Sequence, residues 1–252
     1  MPEGAGVPQP TVPALPPELA GKESHDFFLY RIPSPALRAG ERAAIPVVSA
    51  QVPVRHIYTW DVRLSRSGAE AVPGSGLRTS PIKLLKNEVW HQIDLTNKTG
   101  VPWTTGAAMV TDGYLPIAQE LLTYTPVGAE CRLPLTVAVD VRGDYTEEET
   151  DRDLKGIHFD GNDFVRISKK GTLTVINHKK EAIELAITCG FGGNATKASD
   201  AGKIAIGDFT DEDWRDFRGN RALTGHSIIT WNLTLGAGET KEVTCEYYYY
   251  TR

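Results

Sequence analysis

Several features that define common protein classes are scarce or missing in this sequence of 252 residues. No stretch approaches the roughly 20 consecutive apolar residues that a membrane-spanning helix needs. Lys and Arg total 27 against 32 Asp and Glu, and the net charge of -5 argues against a basic nucleic-acid-binding face. The sequence therefore predicts no membrane span and no nucleic-acid partner.

Cysteine is also scarce. Cys131, Cys189 and Cys245 lie far apart, without a C-x-x-C motif or a nearby pair of histidines, which argues against a zinc site of ordinary spacing. An odd number of cysteines cannot pair completely in intramolecular disulfides. Because all three lie in strand-like runs, we predict that they are small buried apolar residues.

Sequence motifs that carry catalysis are missing as well. The chain has no G-x-S-x-G, no H-E-x-x-H, no phosphate-binding G-x-x-x-x-G-K-[ST] and no G-x-G-x-x-G that opens a helix. The six histidines are scattered. His91 shares the apolar face of a predicted strand with Val89 and Ile93, which favours a hydrogen-bonded core histidine over a ligand. We assign no catalytic residue and favour a non-enzymatic function.

What the chain does have is strand-like alternation. Apolar and polar residues alternate over the four segments Val89–Leu95, Leu133–Val141, Ile183–Cys189 and Ile229–Leu235, the period of strands with one buried face. Short connections between such runs predict antiparallel pairing. We expect about eleven or twelve strands in an all-β fold, an antiparallel β-sandwich built as one large sandwich or as two stacked lobes.

Two local features complete the predicted architecture. Thr210 can cap a short helix near residues 210–218, with acidic residues in its first turn. Lys169-Lys170-Gly171 is predicted as the turn of a hairpin between Phe164–Ile167 and Leu173–Ile176.

The predicted domain organisation is simple. Residues 1–22 contain six of the 16 prolines and form a tail or linker, without the basic start and apolar run of a secretory signal. Residues 23–252 form the β-sandwich module. An internal boundary is predicted at the polar, acidic loop 143–162.

The acidic charge is concentrated, and its role is open to three interpretations. Residues 140–163 hold nine acids and three bases. The first interpretation is a solvated loop. The second is a calcium site, since Asp160, Asn162 and Asp163 supply oxygen ligands around a glycine, although not at EF-hand spacing. The third is a pair of catalytic carboxylates, as in a glycoside hydrolase. Calcium is the one cofactor that the sequence suggests.

Aromatic residues supply candidate binding surfaces for a protein or glycan. In Tyr247–Tyr250, alternation predicts two inward and two outward tyrosines, and the outward pair is a candidate platform for sugar or peptide. Tyr114 and Tyr124 flank Leu115–Leu122, which predicts an aromatic-edged surface. The oligomeric state is left open by the sequence.

The order of several segments carries a family resemblance. The segments are Phe28–Pro33, Val52–Tyr58, Ile93–Asn97, Val101–Val110, Thr123–Glu130, Leu173–Asn177 and Trp231–Glu239. Together they resemble the C-terminal β-rich domain of unknown function of the mucoidy-inhibitor A-like family, over about residues 27–250. The helical first half and export signal that are common in the family have no counterpart in this sequence. The resemblance implies an all-β fold and a cell-envelope setting, and it supplies no catalytic residues.

Overall fold

The fold is all-β. The computed structural model describes residues 22–24, 27–29, 37–43, 46, 48–65, 83–84, 88–159, 161–206 and 224–251. No helix occurs among these residues, as the predicted fold class requires. The short helix predicted near residues 210–218 and all but the last residue of the predicted tail 1–22 lie outside the described residues.

Fifteen strands account for most of the described chain. They are β1 (Lys22–Ser24), β2 (Phe27–Leu29), β3 (Val54–Ser65), β4 (Lys83–Leu84), β5 (Val89–Thr96), β6 (Gly106–Asp112), β7 (Leu115–Leu122), β8 (Glu130–Val137), β9 (Val141–Phe159), β10 (Asn162–Asn177), β11 (Ile183–Gly192), β12 (Asn194–Ala198), β13 (Lys203–Ile206), β14 (His226–Leu235) and β15 (Thr240–Thr251).

The strands form two large sheets and two hairpins. One sheet has the order β12-β15-β10-β9. The other has the order β13-β14-β11-β3-β5-β8, with β4 paired to β3. Strands β1 and β2, and strands β6 and β7, form separate two-stranded sheets. Strands β3 and β11 run parallel, whereas β10 pairs antiparallel with both β9 and β15.

Two short connections behave differently from the prediction. Short turns join β10 to β11 and β14 to β15. In each case the two strands belong to different sheets, since β10 and β15 lie in the four-stranded sheet and β11 and β14 lie in the other large sheet. The expectation that such neighbours pair with each other is therefore wrong at these two turns. Antiparallel pairing is made instead between β11 and β14 and between β10 and β15, which lets each strand turn its apolar face to a common core.

The core is one cluster of side chains drawn from both large sheets. Trp60 of β3 and Trp231 of β14 are fully buried in it, as are Ile167 and Leu173 of β10. Phe191 of β11 lies with its ring centroid 4.3 Å from that of Tyr247 of β15. Removal of this apolar surface from water, at about 25 cal/mol per Å², is the main term that stabilises the arrangement.

Gly171 does not form the turn that was predicted around it, because β10 runs unbroken through this position. A Cβ atom on Gly171 would lie 2.8 Å from the Tyr145 hydroxyl oxygen and 3.0 Å from Cys245 Sγ. The glycine is thus explained by the close approach of two neighbouring side chains. A conformation that only glycine adopts is not needed here.

The acidic segment is a strand and not a loop. Most of residues 143–162 belongs to β9, which pairs with β10 over its whole length. Lys169 lies opposite Glu149 and Lys170 lies opposite Glu148, so basic residues of β10 face the acids of β9. A strand at the edge of a sheet is protected from pairing with other chains by such charges. The acidic composition therefore marks an edge strand.

The chain divides into two compact units by residue contacts. One comprises Met1–Arg55, Asp94–Ala108 and Glu120–Leu133, and the other comprises His56–Ile93, Met109–Gln119 and Pro134–Arg252. The large core cluster belongs entirely to the second unit. Residues 143–162, where the sequence predicted an internal boundary, lie wholly within the second unit.

Candidate functional site

The tyrosine run lies as the alternation predicts. Tyr247 and Tyr249 are buried, whereas Tyr248 and Tyr250 are half-exposed on the opposite face of β15. The ring centroids of Tyr248 and Tyr250 are 5.6 Å apart in an edge-to-face arrangement, and the guanidinium of Arg166 lies 4.3 Å from the Tyr248 centroid. The outward tyrosines are thus engaged with each other and with a cation of their own sheet, and they do not form an open stacking platform.

The calcium candidates are only partly described. Asp160 lies outside the described residues. Asn162 begins β10, and the carboxylate of Asp163 lies 2.6 Å from Nδ1 of His158, with both side chains exposed. In the part of the chain that the structure describes, no three His, Cys, Asp or Glu side chains converge as a metal site. Calcium binding at these residues stays a prediction.

The three cysteines are buried and free, which confirms the prediction that they are buried apolar residues. Cys189 and Cys245 belong to the large core cluster, and Cys131 lies in the other unit. Burial raises the pKa of Cys131. A hydrogen bond with Cys245, followed by burial, raises the pKa of Cys189. Because the thiolate is the nucleophilic form, Cys131 and Cys189 are poorly suited to covalent chemistry.

Glu147 of β9 has a structural role. Glu147 Oε1 lies 2.8 Å from Lys169 Nζ, and Glu147 Oε2 accepts hydrogen bonds from the hydroxyls of Tyr247 at 2.6 Å and Tyr145 at 3.2 Å. Burial, with Tyr247 and Glu147 as smaller causes, raises the pKa of Tyr145 far above its ordinary value. Both phenols therefore act as donors to Glu147. A carboxylate with all of these partners is not positioned as the general acid or base of a hydrolase.

Two arginines converge on a buried carboxylate in the first unit. Asp94 Oδ1 accepts a hydrogen bond from Arg132 Nε at 2.6 Å, and Asp94 Oδ2 accepts from Arg132 at 2.9 Å and from Arg55 at 2.8 Å. The hydrogen bond from Arg132 is the largest cause that lowers the pKa of Asp94, and burial opposes it. No sequence motif marks this cluster, because Asp94 is 38 residues from Arg132 and 39 residues from Arg55.

We expect the Asp94 cluster to make stability depend on pH. A carboxyl group whose pKa is lower in the folded state stabilises the fold above its unfolded pKa of about 3.9, and this contribution is lost as the pH falls through the folded pKa. Asp94→Asn should therefore cost about 1–2 kcal/mol at pH 7, where the half-exposed arginines limit the effect, and less at pH 3. Urea unfolding at both pH values measures the difference.

The matched control for this prediction is Asp61→Asn. Asp61 forms an exposed pair with Arg63 at 3.2 Å, so its replacement should change stability by less than about 0.5 kcal/mol. Parallel pH profiles for Asp94→Asn and the unmodified protein would contradict the assigned role.

Two histidines on the neighbouring strands β3 and β5 are in contact. His56 Nδ1 and His91 Nε2 are 2.9 Å apart, and the His91 ring stacks on Tyr58 with centroids 4.8 Å apart. His91 is hydrogen-bonded, as predicted, but it is half-buried and does not belong to the core cluster, whereas His56 is exposed. His56 was not singled out by the sequence, because only the tertiary fold brings it to His91.

Several large apolar side chains of the β6–β7 hairpin are exposed. The part of this hairpin in the second unit, Met109–Gln119, presents four large apolar residues whose exposed fractions range from 48% to 103%. They are Met109, Tyr114, Leu115 and Ile117. The sequence predicted an aromatic-edged surface here, and the structure confirms that Tyr114 and Tyr124 are exposed.

The turn of this hairpin explains the placement of Tyr114. Gly113 and Tyr114 are the two residues between β6 and β7, and Gly113 has φ of +57°. A glycine with positive φ at the first central position is typical of a type II′ turn, which matches the twist of the two strands. The turn therefore holds the fully exposed Tyr114 ring at the tip of the hairpin.

Comparisons of the chain with protein-family models, curated proteins and solved structures found no match. Among the described residues there is no helix of the length and apolar character required to cross a membrane.

Proposed function

We propose that the chain is a non-enzymatic β-sandwich module that binds another protein through the tip of the β6–β7 hairpin. The sandwich is supported by the core cluster, which takes inward side chains from the four-stranded and the seven-stranded sheet alike. The Phe191–Tyr247 contact between β11 and β15 is one such pairing.

The observation that carries the proposal is the exposure of Met109, Tyr114, Leu115 and Ile117 on one short hairpin. Soluble monomers rarely leave large apolar side chains grouped on the surface unless another molecule covers them. A two-stranded hairpin is also marginal in water without packing against a further layer. Burial of each of these side chains in an interface would contribute about 1.5–3 kcal/mol before the cost of association.

The chemistry of the hairpin favours a protein partner over a glycan. Of its four exposed large apolar residues, three have aliphatic or thioether side chains, whereas sugars stack on flat aromatic faces. Pro116 lacks an N–H group, which weakens β7 as a template for an added strand. We therefore expect side chains of the hairpin to insert into an apolar surface of the partner, with Tyr114 as the central anchor.

The cell-envelope setting belongs to the same proposal. It rests on the resemblance in segment order to the mucoidy-inhibitor A-like family. Two asparagines in the quoted segments have clear structural roles. Asn97 donates from Nδ2 to the carbonyls of Val101 and Thr125, and Asn177 donates to those of Glu181 and Gly236. Both asparagines therefore stabilise the turns that follow their strands, and these hydrogen bonds point to no catalytic role.

A photo-crosslinking experiment tests the proposal. A benzophenone amino acid placed at Ile117 should give a discrete adduct with one protein in cells that naturally make this chain, and mass spectrometry would identify that protein. Adding the substitution Tyr114→Ser should abolish the adduct without a change in melting temperature, because Tyr114 makes no contribution to the core.

The matched control is the same amino acid at Val139, an apolar side chain that is 77% exposed outside the hairpin. An adduct at Ile117 but not at Val139 supports the proposal. Equal labelling at both positions, or no adduct at Ile117, would show that the hairpin is not a docking surface.

A further inference from the structure

Cys189 and Cys245 meet across the core of the second unit. Cys189 belongs to β11 of the seven-stranded sheet and Cys245 belongs to β15 of the four-stranded sheet, and their exposed fractions are 0% and 1%. Two residues further along the same strands, the rings of Phe191 and Tyr247 are also in contact. Because residues two apart on a strand share one face, β11 and β15 face each other at both positions.

The two thiols are in direct contact. The S–H group of Cys189 donates a hydrogen bond to the sulfur of Cys245, which raises the pKa of Cys189 and lowers that of Cys245. The Cys245 sulfur also packs against β10, since a Cβ atom on Gly171 would lie 3.0 Å from it. A disulfide bond, about 2.05 Å long, therefore requires only a closer approach of two sulfur atoms that already touch.

Burial decides when this pair can react. Thiol oxidation requires a thiolate and access for the oxidant, and the folded core provides no access to side chains that are 0% and 1% exposed. In the unfolded chain both thiols are exposed, with the ordinary pKa of about 8.5, so Cys189 is a poor nucleophile only while it is buried. Oxidation therefore belongs to the folding chain, and the closed core then shields the bond from reductants.

We propose that Cys189 and Cys245 are a site of oxidative modification, a disulfide that joins the two large sheets when the chain folds in the presence of a disulfide oxidant such as oxidised glutathione. The native contact between the two sulfurs selects this pair. Cys131 belongs to the other unit and is not a member of the core cluster.

The reaction is two successive thiol–disulfide exchanges. The Cys245 thiolate attacks one sulfur of the oxidant, which breaks the S–S bond of the oxidant and releases one thiolate. The Cys189 thiolate then attacks the Cys245 sulfur of this mixed disulfide and releases the second thiolate. In total the two cysteines lose two electrons and two protons, and the oxidant takes up both as it becomes two thiols.

The bridge should stabilise the sandwich. It closes a loop of about 55 residues, and a cross-link of this span removes much of the conformational freedom of the unfolded chain. We expect the bridged protein to melt about 8–15 °C above the reduced protein. The bridge also ties β11 to β15, two strands that belong to different sheets and are not hydrogen-bonded to each other.

Refolding in two redox buffers tests the proposal. The protein is unfolded in urea with dithiothreitol and refolded at about pH 8, where thiolates are well populated, either with a mixture of oxidised and reduced glutathione or with dithiothreitol alone. In glutathione we expect the intact mass to fall by two hydrogen atoms. Peptide mapping without reductant should find Cys189 linked to Cys245, and Tm should rise as stated.

The decisive variant is Cys189→Ala, and Cys131→Ser is the matched control. Cys189→Ala should lose the Tm difference between the two buffers, whereas Cys131→Ser should keep both the bridge and the whole difference. Each variant is compared with itself in two redox states, so the packing that a substitution removes does not enter the comparison.

Three results would overturn the assignment. They are a protein refolded in glutathione without an intramolecular bridge, a bridge that includes Cys131, and a bridge between Cys189 and Cys245 that does not raise Tm. The proposal is independent of the docking surface, since the Tyr114→Ser variant should form the bridge as the unmodified protein does.

Discussion

Replacement of Glu147 with alanine is expected to lower the free energy of unfolding by about 3–5 kcal/mol, because it removes the carboxylate that lies 2.8 Å from Lys169 Nζ, a side chain that is only 11% exposed. The same change removes the acceptor of the Tyr145 and Tyr247 hydroxyls. Loss of a hydrogen-bond acceptor for buried hydroxyls adds to the cost. Urea unfolding measures the loss as a lower transition midpoint.

The neighbouring residue supplies the control. Glu148 is 69% exposed, and its carboxylate lies 4.0 Å from Lys170 Nζ. Glu148→Ala should change stability by less than about 0.5 kcal/mol, since an exposed ion pair contributes little. Equal losses for the two variants would show that β9 is stabilised by its total charge and not by the inward carboxylate.

The double variant Glu147→Leu, Lys169→Met shows whether the loss in Glu147→Ala comes from an uncompensated buried charge or from the ion pair's own contribution to stability. Replacement of a buried ion pair by apolar residues of similar volume is often neutral, whereas loss of one partner is costly. We expect the double variant to be more stable than Glu147→Ala by at least about 2 kcal/mol. A loss equal to that of the single variant would indicate that the two tyrosine hydroxyls, rather than the lysine, dominate the effect.

Gly143→Ala is expected to cost about 2–3 kcal/mol through overpacking. A Cβ atom at this position of β9 would lie 2.5 Å from Cε2 and 2.6 Å from Cζ2 of Trp60. Trp60 is fully buried in the core, where close packing resists displacement of a side chain. The backbone or the indole must shift, and chemical denaturation would record the loss.

Gly106→Ala is the matched control, because Gly106 also lies in a strand and a Cβ atom there would meet nothing within 4 Å. This variant should change stability little. In a Trp60→Phe background, where the side chain is smaller, the added cost of Gly143→Ala should fall by about 1 kcal/mol. Additive losses in the double variant would place the cause outside the Gly143–Trp60 contact.

The sequence was most informative where a strand has one apolar and one polar face. Alternation alone predicted β5, β11 and β14, and it predicted that two of the four tyrosines in Tyr247–Tyr250 face inward, which the structure shows to be Tyr247 and Tyr249. It failed in the first half of β9, where the inward positions hold Gly143, Tyr145 and Glu147. A glycine that faces a tryptophan and a glutamate that pairs with a buried lysine are inward residues that are not apolar, so no hydrophobic pattern marks them.

The candidate sites were predictable only in part. The exposed tyrosines around β7 could be named from the sequence, but their exposure depends on which strands pair with the hairpin. His56 and His91 are 35 residues apart, and Asp94 and Arg132 are 38 apart. Such pairs form because neighbouring strands of a sheet bring distant segments within hydrogen-bond distance, which local patterns do not record.

The sequence by itself determined the all-β class, the faces of the regular strands and the burial of the cysteines, because side-chain polarity with a period of two residues is a local property. Only the tertiary structure decided which sheet each strand joins, why Gly143 and Gly171 must be glycines, and which charged groups meet. Those features depend on contacts between residues far apart in the chain, and on the close packing that leaves some positions no room for a side chain.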